Sequence, residues 1–441
     1  SAHDVWHAGS IGPLVYAFVA FLVMPLRVAL LWFRRDLRLF DNRAWEVAVA
    51  EYDAAHACYV IPTCSICPHP RTGLPRWSPR KATFVTQCVE EVASRLSAYG
   101  VGLTTITQCE TNVQGVLRVV HAIKAASIDP PLITVLYNHL PGPAEVAEET
   151  DLVSTLNTHK IKARGFWSWM LYPPENLPWH MWRSGRQLPH TTPVGCSSAT
   201  QDPVTPPASD AHPFHCIPFI MNHFLKALAG QPQVPTPLEP QVPPTKWQRQ
   251  SAAVALDCTV DPCGSSLGVL LSVDAFLGCT MEAWPQMVLE TMGPGIEIEG
   301  QVPMGGETAG LAHLQDFVTH RLEGYEASHG GVRSTVHGCG SGLAPWLAWG
   351  ALSPRVVYGH VKQALHTTTL KGMPDERQAM LEQSVATFLR HIAIRDFFAY
   401  TALREGEHAI APIGFGHRHT RRPWKWQPPA WASDSPCEVF W

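Results

Sequence analysis

Short hydrophobic runs alternate with helix-like spacing between residues 28 and 165. The runs that predict strands cover residues 28–33, 57–61, 103–106 and 132–136. The segments between them, which place apolar residues on one face of a helix, cover residues 42–50, 80–99 and 112–126. Alternation of this kind is typical of parallel strands joined by crossover helices. We therefore predict an α/β fold with a doubly wound parallel sheet in this part of the chain.

Charged residues follow the first predicted strand at once. Arg34, Arg35, Asp36 and Arg38 come directly after the apolar run 28–33. Ligands of open α/β sheets lie outside the carboxyl ends of the strands, so these side chains are placed to hold an anion or a second domain. The alternative is a salt-bridge cluster that ties the strand end to neighbouring loops. The chain has no Gly-x-Gly-x-x-Gly and no Walker loop, which disfavours an ordinary dinucleotide or nucleoside triphosphate site.

The pattern becomes helical from Gly305 onward. Ser353 precedes Pro354, an N-cap followed by proline at the first helical position. Residues 377–404 predict one long helix, and Arg395 falls on its apolar stripe. A buried guanidinium needs a partner, because an isolated buried charge is very costly. That partner is either a structural carboxylate from a neighbouring helix or a ligand.

Composition divides the chain into four parts. Residues 1–27 form a leader of uncertain status, and 28–180 form the α/β domain. Residues 181–300 contain Pro-, Gly- and Ser-rich insertions, with a proline-rich run at 231–244, and are interpreted as a linker. Residues 301–441 form a partial all-α domain.

Charge and cysteine usage exclude several classes of protein. The net charge of −4 gives no global attraction to nucleic acid, so any contact with DNA depends on a local patch. The 12 cysteines are scattered, and Cys64 and Cys67 have no second pair at zinc spacing, so we predict no metal site and a reducing compartment. The apolar stretch 11–24 is too short for a membrane span, and the positive segment of a secretory signal is missing. We expect no membrane association and a location in an organelle, the cytoplasm or the nucleus.

The order of residues 30–42 resembles the first strand of the photolyase/cryptochrome family, whose pattern is Trp-Phe-Arg-x-Asp-Leu-Arg-x-x-Asp-Asn. Further blocks are similar to the DASH-type cryptochrome branch; they cover residues 165–178, 217–226, 305–309, 345–355 and 394–398. The resemblance implies an α/β domain, a helical domain that binds FAD, and an antenna, usually a folate such as 5,10-methenyltetrahydrofolate. It also implies a monomer that uses blue light to repair cyclobutane pyrimidine dimers, preferentially in single-stranded DNA, or to signal.

The resemblance assigns roles to individual residues. Positions that match the flavin site are Tyr325, Ser341, Gly342, Leu343, Arg395 and Asp396, of which 341–343 form the phosphate turn. Glu148 and Glu149 match the stretch that contacts the antenna. Trp431 matches the outermost tryptophan of the electron-transfer chain. Without the resemblance, Tyr325 and Trp431 are interpreted as ordinary core aromatics.

Several positions depart from the family pattern. The phosphate turn 340–344 lacks most of the usual hydroxyls and its basic residue. His391 and Ile394 stand where the family has the acidic residue and the tryptophan of the lesion pocket. The family continues beyond the position of Trp441 with Gly-x-Thr-Gly-x-Pro and the helices that enclose the flavin. We therefore expect a C-terminally truncated, locally degenerate homologue in which the 441-residue chain retains little FAD.

A second hypothesis belongs to another class of function. Residues 417–426 interleave cations with aromatic rings, a composition suited to nucleic-acid binding. The chain would then be a non-catalytic remnant that binds nucleic acid or a protein partner without flavin. The simpler interpretation of this segment is a solvated surface loop.

Overall fold

The computed structural model describes residues 25–62, 79–106, 109–127, 130–183, 214–229, 234–239, 242–243, 303–329, 340–365, 374–406 and 409. Several sequence-based predictions lie outside these residues. They concern most of the leader and of the linker, the Cys64–Cys67 pair, the segment 417–426 and Trp431. The hypothesis of a flavin-free nucleic-acid binder therefore remains a prediction.

A five-stranded parallel sheet forms the centre of the first domain. Its strands are β1 (Arg27–Phe33), β2 (Ala54–Val60), β3 (Leu103–Ile106), β4 (Leu132–Asn138) and β5 (Lys162–Phe166). They lie in the order β3-β2-β1-β4-β5, and every described pairing is parallel. The prediction of a doubly wound parallel sheet is confirmed. The strand order reverses between β1 and β4, and ligands of such sheets bind at the crevice beside this point.

Two of the four described helices of this domain begin at a capping side chain. They are α1 (Arg43–Glu51), α2 (Pro79–Ala98), α3 (Asn112–Ala126) and α4 (Pro143–Thr158). The side chains of Asn42 and Thr111 accept hydrogen bonds from the first turns of α1 and α3, which satisfies otherwise unpaired N–H groups. Alternate residues of β1 pack on opposite faces. Leu30 joins the core with α3 and α4, whereas Leu31 joins a core shared with the helical part.

The described elements from Gly305 onward are helical, as predicted, and a further helix, Met221–Ala229, lies within the segment that was predicted to be a linker. The helices are α5 (Trp179–Arg183), α6 (Met221–Ala229), α7 (Glu307–Asp316), α8 (Tyr325–Ser328), α9 (Ala344–Ala348), α10 (Pro354–Gln363) and α11 (Asp375–Glu405). A five-residue π-helical turn, Phe317–Arg321, follows α7. The Ser353 hydroxyl accepts from the Arg355 N–H and caps α10, in agreement with the prediction. The long helix predicted at 377–404 is α11.

The charged run after β1 joins the two domains. Arg38 is 1% exposed and donates hydrogen bonds to the carbonyls of Phe40 and Asp41, both at 2.9 Å, of Ser168 at 2.6 Å and of Gly350 at 2.8 Å. Because Gly350 belongs to the helical part, this arginine holds the second domain, one of the alternatives left open by the sequence. Gly350 has φ +63°, and a Cβ there would lie 2.0 Å from a backbone oxygen of the first domain, so the contact requires glycine.

A second contact between the domains is made by residues 305–308, the docking loop. The buried Glu307 carboxylate accepts from the N–H groups of Leu39 (3.0 Å) and Phe40 (3.1 Å) and pairs with Arg95. The Gly305 N–H donates to Gln87 Oε1 at 2.6 Å, and a Cβ on Gly305 would lie 2.1 Å from a carbonyl of α2. The block that resembles the DASH branch at 305–309 therefore fastens the helical part to the sheet domain.

His56 on β2 predicts a pH dependence of stability. Its side chain is fully buried, with Nε2 2.8 Å from Thr104 Oγ1 and Nδ1 unpaired among the described residues. Burial lowers the pKa of His56 from 6.5 to about 4. As the pH falls from 6.5 to 4, the unfolded chain therefore binds a proton at His56 that the folded chain does not bind. We expect the free energy of unfolding to drop over this window by up to about 3 kcal/mol.

The measurement is urea denaturation between pH 7 and pH 4, compared with His56→Gln. Glutamine keeps a nitrogen near the position of Nε2 but does not titrate, so the variant should lose this part of the pH slope. The control variant His121→Gln changes an exposed histidine and should keep the pH slope of the unsubstituted protein. An unchanged slope in His56→Gln would show that other groups cause the acid sensitivity.

Candidate functional site

Tyr325 and His391 come together on the helical part from two different helices. The Tyr325 hydroxyl lies 2.9 Å from His391 Nδ1, and its ring packs edge-on against Phe388 and Phe317 at 5.1 and 5.8 Å between centroids. Burial raises the pKa of the Tyr325 hydroxyl. Burial, with His329 and Arg390 nearby, lowers the pKa of His391. These shifts favour neutral forms of both groups, joined by a hydrogen bond.

An apolar strip continues along α11 beyond His391. Ile394 is half-buried, and Phe398, one turn further on, is 54% exposed. The structure thus places the two substituted lesion-pocket positions, 391 and 394, next to each other on one helix. Ile394 offers an aliphatic surface there and no aromatic ring for stacking.

The predicted phosphate turn, residues 340–343, is held by side chains of the preceding helical segment. His313 Nε2 lies 2.9 Å from the Ser341 carbonyl, and Arg321 Nη1 donates to the Gly340 carbonyl at 3.0 Å. Gly342 has φ +69°, a conformation that favours glycine, and a Cβ there would lie 2.7 Å from His313 Nε2, so the turn packs closely against this imidazole. Helix α9, which follows, has only five residues, so the positive charge at the turn comes from side chains.

Phe317 links this turn to the Tyr325 cluster. The Arg321 guanidinium lies 5.5 Å from the Phe317 ring centroid, and Phe317 contacts Tyr325. The buried Phe317 therefore connects the phosphate turn to the Tyr325 cluster through packed side chains. Sequence analysis missed Arg321 and His313. The signal that could have found them is their location, in and just before a π-helical turn, a feature frequent at functional sites.

Arg395 and Asp396 both hold the segment that connects the domains. The Arg395 guanidinium lies 3.4 Å from the Trp169 ring centroid and donates to the carbonyls of Trp169 (2.8 Å) and Leu347 (3.4 Å). The buried Asp396 carboxylate accepts from the N–H groups of Leu171 and Tyr172. Burial lowers the pKa of Arg395 to about 10 and raises that of Asp396 to about 6.

The partner of Arg395 is therefore not a carboxylate from a neighbouring helix, and its charge does not depend on a ligand alone. Backbone carbonyls and an aromatic face solvate the charge, and Asp396, its neighbour on α11, lies 3.6 Å away. Both residues fix α11 against the 169–172 segment.

A second candidate site is a cleft at the carboxyl edge of the sheet, where the strand order reverses. Its cavity volume is about 260 Å³, and Arg34, Arg35, Lys81, Glu148 and Trp349 are among its lining residues. Arg35 and Lys81 lie 5.7 and 5.3 Å from the centroid of the Trp349 ring. Burial, with Arg35 nearby, lowers the pKa of Lys81 to about 8, and burial raises that of Glu148. The cleft combines an aromatic surface with charges of both signs.

Glu149 lies beneath this cleft. Its buried carboxylate binds Arg34 and His139 and accepts from the Leu140 N–H at 3.0 Å. Burial opposes ionisation of Glu149, but His139 and Arg34 outweigh it and lower the pKa. Of the two predicted antenna residues, Glu148 lines the cleft and Glu149 supports the arginine beside it.

Two further observations concern metal and membrane. Among the described residues, no group of three or more His, Cys, Asp or Glu side chains is placed to hold a metal ion. In the same part of the chain, every helix is too short or too polar to cross a membrane.

Comparison with known proteins adds to this geometry. Residues 29–189 match the DNA photolyase family model. Cryptochrome DASH of Synechocystis sp. is 25% identical over 394 residues, which cover 86% of this chain and 60% of that protein. The chloroplastic/mitochondrial cryptochrome DASH of Oryza sativa is 23% identical over 408 residues, covering 90% and 57%. The family match covers the sheet domain, and the chain as a whole is similar to cryptochrome DASH proteins.

Solved structures of photolyase/cryptochrome proteins share this fold. The Synechocystis sp. cryptochrome superimposes with a TM-score of 0.62 at 21% identity, over 93% of this chain and 67% of that one. A bacterial class III photolyase from Agrobacterium tumefaciens gives 0.57 at 16% identity, over 93% and 65%. The chain spans about three fifths of the length of the curated relatives named above.

Proposed function

We propose that this chain is a DASH-type cryptochrome/photolyase module whose helical part binds FAD. The observation that carries the proposal is the site bordered by Tyr325 and the turn 340–343. Two features fit a dinucleotide there. Gly342 gives the turn the positive φ of glycine-rich anion-binding turns, and the buried Arg321 Nε has no hydrogen-bond partner among the described residues.

Each residue has a part in this proposal. The backbone of the turn, with Ser341, holds the phosphates, since glycine-rich backbone exposes N–H groups to anions. Tyr325 and His391 form one edge of the site, and their hydrogen bond keeps a proton between Tyr325 Oη and His391 Nδ1. Arg395 and Asp396 hold the wall. When bound, FAD would supply blue-light absorption and one-electron chemistry.

Titration of the purified chain with FAD tests the proposal. Although we expect little FAD to remain after purification, flavin fluorescence and visible absorption should report saturable binding of added FAD. A Gly342→Val variant should bind more weakly, because valine strains the turn at positive φ and meets His313. A matched control is Gly359→Val, where a Cβ meets nothing within 4 Å. Absence of saturable binding to the unsubstituted chain would refute the proposal.

The cleft at the carboxyl edge of the sheet is proposed as the antenna site. Trp349 offers a ring for stacking, and Glu148 offers an acceptor for ring N–H groups, which suits a folate such as 5,10-methenyltetrahydrofolate. The proposal rests on the aromatic surface of the cleft and its polar edge.

We further propose light sensing, with at most weak repair of pyrimidine dimers in single-stranded DNA. Repair requires an extruded lesion to stack on the pocket wall, and Ile394 supplies no ring. Loss of one base–aromatic stack costs about 1–3 kcal/mol, up to roughly a hundredfold in affinity. His391, with its lowered pKa, is a poor cation and no substitute for a carboxyl group.

We therefore expect a gain of repair in the double variant His391→Glu, Ile394→Trp. The assay illuminates a dimer-containing single-stranded oligonucleotide with the FAD-loaded, reduced protein. Met380→Trp, which adds a tryptophan at an exposed position of the same helix, is the control and should show no gain. Efficient repair by the unsubstituted protein, unchanged in the double variant, would contradict this assignment.

A further inference from the structure

Arg321 lies at the end of the π-helical turn, with its guanidinium directed to the phosphate turn. Its side chain is 24% exposed, and Nη1 donates to the Gly340 carbonyl at 3.0 Å. The family pattern has a basic residue within the turn, and this chain has none at 340–344. The structure brings a guanidinium to the same turn from another part of the chain.

The hydrogen bonds around Arg321 leave donors without acceptors. His313 Nε2 lies 2.9 Å from the Ser341 carbonyl and 3.3 Å from Arg321 Nη2, and it cannot donate to the first and accept from the second. The shorter contact makes Nε2 the donor, so Nη2 gains nothing from His313. One N–H of Nη1 binds Gly340, and one N–H of Nη2 faces Asp316. Three of the five guanidinium donors, including the buried Nε, then lack acceptors among the described residues.

The charges around Arg321 also favour an anion. Asp316 Oδ2 lies 3.0 Å from Nη2, but this carboxylate is 55% exposed and is also 3.1 Å from His320. An exposed ion pair contributes little and yields readily to a better acceptor. The free N–H groups of the Arg321 guanidinium, held beside one glycine turn, match an oxyanion that accepts several hydrogen bonds at once.

We propose that Arg321, assisted by His313, binds a diphosphate group at the turn 340–343 and replaces the basic residue that the turn lacks. As an assignment of the flavin diphosphate, this inference rests on the proposed function. The site consists of the Arg321 guanidinium and the glycine backbone, and His313 holds the turn through its hydrogen bond to the Ser341 carbonyl.

The experiment uses the whole chain and three probes: inorganic pyrophosphate, FAD and riboflavin, which has no phosphate. Isothermal titration gives the Kd of each probe for the unsubstituted protein and three variants. Arg321→Gln removes the charge. Arg377→Gln is the matched control, because Arg377 also pairs with a carboxylate, Glu323, but is 59% exposed. Asp316→Asn removes the competing carboxylate at an exposed position.

We expect Arg321→Gln to weaken the binding of pyrophosphate and FAD by roughly 10- to 100-fold, the range for a hydrogen bond to a charged group. The affinity for riboflavin should not change. Asp316→Asn should bind pyrophosphate more tightly, and Arg377→Gln should match the unsubstituted protein. A folding defect would weaken binding in both variants, whereas the inference predicts weaker binding of pyrophosphate in Arg321→Gln and tighter binding in Asp316→Asn.

Three outcomes would overturn the inference: no binding of pyrophosphate to the unsubstituted protein, an Arg321→Gln affinity within twofold of it, or equal weakening of FAD and riboflavin. Arg321-dependent binding of pyrophosphate without any binding of FAD or riboflavin would support the diphosphate site and refute only the flavin function.

Discussion

Replacement of Arg38 by methionine is expected to lower the free energy of unfolding by about 3–5 kcal/mol, the range for breaking a buried charged contact. Methionine keeps most of the apolar stem but removes every donor. The four carbonyls that Arg38 binds, including those of Ser168 and Gly350, would remain buried without partners. Burial lowers the pKa of Arg38, and the nearby carboxylates of Asp41, Asp36 and Glu307 oppose this shift.

Chemical denaturation followed by both circular dichroism and tryptophan fluorescence measures this effect. Because Arg38 bridges the domains, the two transitions should separate in the variant, which would indicate uncoupled unfolding. Arg27→Met is the control: Arg27 is 57% exposed in an ion pair with Asp53, and its loss should cost less than about 1 kcal/mol. A loss of that small size for Arg38→Met would show that the bridge is not a stabilising element.

The second large effect is expected for Arg395→Ala, again about 3–5 kcal/mol. The guanidinium is 18% exposed, stacks on Trp169 and binds two carbonyls, and its removal leaves the buried Asp396 without its neighbouring cation. The pKa of Asp396, already raised to about 6, should rise further. Urea denaturation at pH 7 gives the stability.

Arg390 provides the control on the same helix. It is exposed, and its guanidinium contacts Asn222 at 3.3 Å, so Arg390→Ala should change stability by less than about 1 kcal/mol. Equal effects of the two substitutions would mean that the position of Arg395 within α11 does not matter and that the buried contact is not the cause.

The sequence pattern predicted most of the sheet and its helices, because buried parallel strands are uniformly apolar. It did not predict β5 or α4. In β5, Lys162 and Arg164 alternate with small residues on a half-exposed edge strand, so no apolar run exists to detect. In α4, acidic residues are distributed around the helix, and only Leu152 and Leu156 mark its buried face clearly.

The site was predicted less completely, for a different physical reason. Tyr325 and the turn at 341–343 are assigned to the site by resemblance of local blocks, and this assignment stays a prediction. Their surroundings depend on contacts between distant residues, such as Arg38 with Gly350, 312 positions apart. Neither periodicity nor composition encodes which carbonyls will meet a guanidinium. The roles of Arg321 and His313 appear only when the chain is folded.

The docking loop has a consequence for how this chain tolerates change in length. Residues 305–308 are fixed on α2 by hydrogen bonds and close backbone contact, so the position of Gly305 is set independently of how many residues precede it. For a loop with fixed ends, each doubling of length costs only about 0.6 kcal/mol of closure entropy. Insertions upstream of Gly305 can therefore accumulate or be engineered, for instance as a reporter domain, while both domains keep their mutual register.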